Sequence, residues 1–211
     1  KIDNSKISGL FIHHPVAGKC ALINYYEDPY RQRFTAAHEA AHAILDEEEN
    51  VLVSYSWNKK DLREIRANNF ASYYLLPPEI IEKLDHPEQW TNDDIIKWSN
   101  KLKVSTNALA IALYEKKRVS KEQANKIKKV RIPREYKEDP ELPDSLPKKS
   151  KERKKTLLEN GLSQYYVSIC FESYRKGMIS VSRLQEMLLL ESEIQLRELA
   201  NIYGEFLKYA G

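Results

Sequence analysis

Residues 34 to 45 read FTAAHEAAHAIL, and this stretch constrains the fold more than any other part of the chain. Apolar residues recur at helical spacing from Phe34 to about Asp46, with Thr35 as the predicted N-cap. The helix is apolar enough to demand burial, yet it carries His38, Glu39 and His42. Residues four apart stand one above the other on a helix face, so both imidazoles point the same way. A buried face of two imidazoles and a carboxylate is costly unless something satisfies it. The small residues Ala36, Ala37, Ala40, Ala41 and Ala43 allow close approach to a neighbouring layer. The fold must therefore bring both a packing partner and a polar or metallic partner to this one helix.

Two imidazoles at this spacing can share one Zn²⁺ at about 2.0–2.1 Å. Glu39 is one residue round from His38. That keeps it out of the ligand set but beside the metal's open position, where it can take a proton from attacking water and pass it to a leaving amine. This is the HExxH arrangement, two ligands and one base on one helix. A catalytic zinc takes a third protein ligand. The longer form HExxHxxGxxH is absent, because Asp46, Glu47, Glu48 and Glu49 follow with no Gly or His at the required offsets. Those acids read as a solvated helix end. By spacing alone the third ligand stays open: Glu64, one turn before Ala67-Asn68, is a candidate, and Asp61 and the 46–49 run are its rivals. Peptide hydrolysis also uses a donor for the tetrahedral oxyanion. Tyr73, Tyr74, Arg66, His13 and His14 are the candidates, and each has a purely structural reading as well.

Around this helix the pattern changes element by element. SGLFIHHP and KCALINYY alternate as two strands across a turn-prone PVAGK. Asn50 to Trp57 reads as a third strand. Asp61 to Leu76 is helical and stops at Pro77-Pro78, and Pro78 can open the short helix PEIIEKLD. Residues 91 to 118 form two helices capped at Thr91 and at Ser105 or Thr106, with a third at 120 to 129. The stretch IPREYKEDPELPDSLPKK holds four prolines and many charges and reads as a linker. Residues 150 to 211 are helical, with a break around Lys176-Gly177 and an aromatic face of Tyr165, Tyr166, Ile169, Phe171 and Tyr174. The predicted fold class is α+β and predominantly helical, a small β-sheet packed on the HExxH helix and followed by helical segments. The predicted division is a metal domain at 1–90, a helix-turn-helix-like segment at 91–132, a linker at 133–149 and a helical bundle at 150–211.

Composition excludes some classes. The apolar runs are too short to span a bilayer, and no signal-peptide pattern stands near Lys1. The chain starts without Met, as a fragment of a longer protein would. Cys20 and Cys170 lie 150 residues apart without CxxC spacing, which fits free thiols in a reducing cytoplasm. Net charge is only +3. Residues 121 to 155 carry 13 basic against 7 acidic side chains, a local excess of +6 that is read as solvated linker. A direct DNA role for residues 91–118 is not favoured, because TNALAIALYEKK offers few side chains able to read base edges.

RQRFTAAHEAAHAIL followed by EIRANNFASYYLLPPE resembles the ImmA/IrrE family of bacterial and phage metallopeptidases. The shared features are Arg33-Phe34-Thr35, His38-Glu39-xx-His42, Glu64-xx-Ala67-Asn68-x-Phe70-Ala71 and Leu75-Leu76-Pro77. HEAAH in place of the commoner HELGH is the one departure. The resemblance implies that His38, His42 and Glu64 bind Zn²⁺ and that Glu39 is the general base. It also implies a cytoplasmic endopeptidase whose substrate is a helix-turn-helix transcriptional repressor. The competing expectation is a metal-binding regulatory or interaction module without proteolysis.

Overall fold

The computed structural model describes residues 7–16, 18–46, 51–55, 61–139 and 141–207. The chain is α+β and predominantly helical, and divides into two compact units, Lys1–Glu138 and Asp139–Gly211. Among the described residues no helix is long and apolar enough to cross a membrane.

The first unit opens with a hairpin. Strand β1 (Ile7–His14) pairs antiparallel with β2 (Gly18–Ile23), and β3 (Val51–Tyr55) pairs antiparallel on the other edge of β1, giving the order β2-β1-β3. Helix α1 (Pro29–Leu45) packs across β1 and β2 and buries Phe11 and Tyr30. It begins before the predicted start at Phe34. Asp28 is the N-cap, accepting from the backbone N–H of Tyr30 and Arg31 at 3.0 and 3.2 Å, and Pro29 sits in the first turn. Thr35 is thus a buried interior residue rather than a cap.

Helix α2 (Leu62–Leu75) is capped by Asp61 and lies against α1. Ala37 and Ala41 on α1 and Ala67 and Ala71 on α2 are all buried. Small side chains bring α1 close to its neighbours, while Ala36 and Ala40 face solvent. The prolines act as expected, with α2 stopping before Pro77 and Pro78 opening α3 (Pro78–Glu82).

Helices α4 (Asn92–Leu102), α5 (Thr106–Glu115) and α6 (Lys121–Lys129) start at Thr91, Ser105 and Ser120, whose side chains accept from backbone N–H groups in the first turn. One apolar cluster includes Leu76, Ile81 and Leu84 together with Ile95, Val104, Leu109, Leu113 and Ile127. The core therefore runs continuously across residue 90. Part of the predicted linker also belongs to this unit. Arg134 donates to the Tyr26 carbonyl at 3.2 Å, Asn100 donates to that of Tyr136 at 3.1 Å, and Lys137 pairs with Asp28 at 3.0 Å.

The second unit holds α7 (Lys148–Glu159), α8 (Gln164–Arg175), α9 (Val181–Met187) and α10 (Glu193–Tyr203) around Leu157, Val167, Phe171, Leu184 and Leu196. The aromatic face predicted for α8 is not the buried one. Tyr165, Tyr166 and Ile169 are exposed, whereas Val167, Cys170 and Phe171 are buried and Tyr174 packs on them. Positions 167, 170, 171 and 174 follow the helical period and form the inward stripe. Cys20 and Cys170 are both free thiols.

Candidate metal centre

His38 and His42 rise from one face of α1, and Glu64 from the first turn of α2 reaches across to both. All three are buried, at 5%, 0% and 7% exposure. The two Nε2 atoms are 3.1 Å apart. Glu64 places one carboxylate oxygen 3.2 Å from Nε2 of His38 and the other 3.4 Å from Nε2 of His42. One ligand atom from each residue lies within 4.8 Å of the others, a group that could hold a metal ion.

The far nitrogen of each ring explains why the near ones converge. Nδ1 of His38 lies 3.1 Å from Oδ1 of Asn68, and Nδ1 of His42 lies 2.8 Å from Oδ2 of Asp46. Both acceptors lack a proton to give, so each Nδ1 carries the hydrogen and donates it. In the neutral rings each Nε2 then carries the lone pair. Two such nitrogens and a carboxylate, facing one another at 3.1–3.4 Å, repel unless a cation stands between them. The spacing suits one. Tetrahedral ligands at about 2.0–2.1 Å from a zinc ion are about 3.3 Å from each other. The donor set, the tautomers and the separations therefore all fit a zinc ion.

The electrostatics agree. Burial tends to raise the Glu64 pKa, but hydrogen bonds and charge from His38 and His42 overcome it and hold the group at about 2. Burial tends to lower His42, but Glu64 and Asp46 outweigh it and the pKa is raised. A carboxylate that stays ionised in a buried pocket, beside a ring that attracts a proton, marks a place that favours positive charge.

Asp46 and Asn68 hydrogen-bond the far nitrogens of the two rings, a supporting place that the sequence analysis did not assign to either. Asp46 belongs to the acidic run expected to be solvated, yet it is buried, ends α1 and ion-pairs with Arg66 through its second oxygen. Residues 47–49 lie outside the described residues. Both supports sit four positions after a ligand, Asp46 after His42 and Asn68 after Glu64, so helical spacing was the available signal. Outer partners of this kind are commonly worth tenfold to hundredfold in metal affinity. Asp46→Asn is accordingly expected to weaken Zn²⁺ binding by about 10–100-fold, read by competition with a chromophoric chelator.

The other candidates lie elsewhere. Asp61 caps α2 through its 2.9 Å bond from the Arg63 N–H and does not join the triad. Arg66 supports Asp46 from behind. Tyr73 and Tyr74 are 51% and 69% exposed, Tyr73 beneath Lys116 and Tyr74 stacked on Phe70. His13 and His14 are exposed at the end of β1. None of Arg66, Tyr73, Tyr74, His13 or His14 lines the cleft that reaches His38 and Glu64.

Glu39 is fully buried and faces the sheet at Gly9. A Cβ at Gly9 would overlap Oε1 of Glu39 and the Thr35 methyl. Only glycine lets the strand pass this close. Gly9→Ala is expected to lower stability by about 1–3 kcal/mol, the usual cost of overpacking, seen as a lower midpoint in chemical denaturation. Ser8 and Thr35, which flank this contact, line the cleft. That cleft has a volume of about 730 Å³ and reaches His38 and Glu64, while the fully buried His42 and Glu39 lie behind its lining.

Residues 1–114 match the model of the peptidase family described as the IrrE N-terminal-like domain. No curated protein and no solved structure matches the chain.

Proposed function

We propose a zinc-dependent endopeptidase, and the premise is membership: the chain belongs to the IrrE N-terminal-like peptidase family. The observation that carries the reading is a triad with one side open. Among the described residues the candidate ligand group is His38, His42 and Glu64, and the cleft of about 730 Å³ reaches it. Structural zinc sites are closed by a fourth protein ligand, whereas three protein ligands and an open position are the mark of a catalytic one.

His38, His42 and Glu64 would hold Zn²⁺, which when bound polarises the scissile carbonyl and acidifies the attacking water. Glu39 is the general base: its carboxylate accepts a proton from that water and returns it to the departing amine. Asn68 and Asp46 keep both imidazoles in the Nδ1–H form and fix their orientation. Arg66 holds Asp46 in place. The cleft supplies the surface along which a peptide is laid.

The resemblance points to a regulatory protein as substrate, namely a helix-turn-helix repressor inactivated by the cut. New protein N-termini in cells expressing the wild type or Glu39→Gln test this. Termini confined to one regulator, and present with the wild type alone, are the expected result. Identical profiles, with zinc bound in both proteins, would move the assignment to a metal-binding regulatory module.

A further inference from the structure

The cleft beside the triad has a wall that the metal helices do not supply. From His38 and Glu64 it follows α1 back to Arg31 and α2 forward to Leu76. Seven residues of helix separate His38 from Arg31, a run of about 10 Å, which matches about three residues of extended peptide. The far side is closed by Val104, just before α5, and by Ala108, Ile111 and Glu115 of α5 itself. Val104, Ala108 and Ile111, with Phe34 and Leu75, give the cleft an apolar patch, bordered by polar Asn69, Ser72 and Asn107 and by charged Asp28, Arg31 and Glu115.

Helix α5 is built for two faces. Leu109, Ala110, Ala112 and Leu113 are buried in the core of the unit. Ala108, Ile111 and Glu115 stand at i, i+3 and i+7, share another face and line the cleft. A helix that is apolar nearly all round is normally buried all round. Here Ala108 and Ile111 on the second face are only half-buried, because the cleft opens onto them, and Glu115 ends that face exposed. This also accounts for the scarcity of base-reading side chains in TNALAIALYE.

We propose that Ala108 and Ile111 of α5 form the specificity pocket of this peptidase, selecting substrates with a bulky aliphatic or aromatic side chain beside the scissile bond. The assignment rests on the peptidase reading and adds to it a substrate class. Ala108 leaves room, Ile111 and Leu75 provide contact, and the neighbouring amides of Asn69 and Asn107 are suited to a peptide backbone. An acidic side chain entering the same space would lose water and meet the Glu115 carboxylate at the end of the same face.

Binding of amino-acid hydroxamates to the zinc-loaded full chain tests the pocket without requiring turnover. Leucine hydroxamate and glycine hydroxamate share the zinc-binding group and differ in the side chain alone. Isothermal titration is expected to show leucine hydroxamate binding about tenfold or more tighter, the scale set by burying a leucine side chain. Ile111→Asp is expected to bring that ratio close to one, and the milder Ile111→Ala to reduce it. Each ratio is taken on a variant whose zinc content and circular dichroism match the wild type, so that loss of metal or of fold does not imitate the result. Equal binding in the wild type, or a leucine preference that survives both substitutions, overturns the pocket. Failure of both probes to bind removes the open metal position and the pocket with it. A failure of the peptidase reading looks different: discrimination between the probes intact, and no protein cut.

Discussion

Glu39→Gln is expected to keep its zinc and to cleave at least about a hundredfold more slowly than the wild type, the lower end of what a general base contributes. The substitution changes one oxygen for an amide nitrogen and keeps the shape. Shape matters because Glu39 is fully buried against Gly9, where there is no room for a larger group. The ligands and their supports are untouched: His38 still has Asn68, His42 still has Asp46, and Glu64 still bridges both rings. What disappears is the capacity to take a proton. Metal content by atomic absorption and cleavage of the identified substrate check the two halves separately. Retained zinc with lost cleavage supports the base assignment. Retained zinc with retained cleavage removes Glu39 from the chemistry. Lost zinc would mean that the carboxylate helps to hold the ion after all.

Much of this site was legible in the sequence because helices turn spacing into geometry. His38 and His42 share a face whatever the rest of the chain does, and the same rule puts Asp46 and Asn68 one turn beyond a ligand. Asp46 was weighed as a rival ligand but not as the support of His42, because it heads a run of four acids and a charge run ordinarily signals solvent. The tyrosines fail on the same geometry that serves the histidines. At 100° per residue, Tyr73 lies about 180° round α2 from Glu64, so it cannot face the same cleft. The start of α1 was misjudged because YYEDPY looks irregular, although Asp28-Pro29 is a cap followed by a first-turn proline. On α8 the aromatic count misled and the period did not: Val167, Cys170 and Phe171 go inward while Tyr165 stays in solvent.

Other features had no local signal at all. Tyr30 donates to Asn100 seventy residues away at 2.8 Å, and Arg33 donates to the carbonyls of Leu102 and Lys103 at the end of α4 at 3.0 and 2.9 Å. These bonds join α1 to the helices that follow the metal helices. They make α4 and α5 part of the same unit, and so allow α5 to wall the cleft. Nothing in the composition of α5 distinguishes a DNA-reading helix with a poor surface from a cleft wall with an apolar one. Placement decides, and placement depends on pairings far apart in sequence.

Glu64→Ala is the substitution expected to cost the most metal. It removes one of the three candidate ligands and the only carboxylate among them, leaving two imidazoles to face a divalent cation. It also removes the first of the partners that raise the His42 pKa, leaving Asp46, and the carboxylate that faces both Nε2 atoms, which stand 3.1 Å apart. Zinc affinity is expected to fall by more than the 10–100-fold assigned to the outer partner Asp46, since a ligand bond is lost rather than tuned. Glu64→Gln separates charge from shape, because its amide oxygen can still approach the rings while the charge is gone. An affinity for Gln between those of the wild type and Ala would show that both the charge and the donor oxygen matter. Full zinc occupancy in Glu64→Ala, measured after dialysis against a competing chelator, would take Glu64 out of the ligand set. The third ligand would then have to come from residues 47–49 or another group beyond the described triad. Acid should produce a milder version of the same loss. Zinc needs both imidazoles neutral, so protons compete for the site as pH falls through the raised pKa of His42. In the metal-free protein the signs divide. The ionised Glu64, held at about 2, contributes stability above the ordinary carboxylate range, which is lost as pH falls toward 2. The raised His42 contributes stability that is fully present below its unfolded pKa and is lost as pH rises through its folded value.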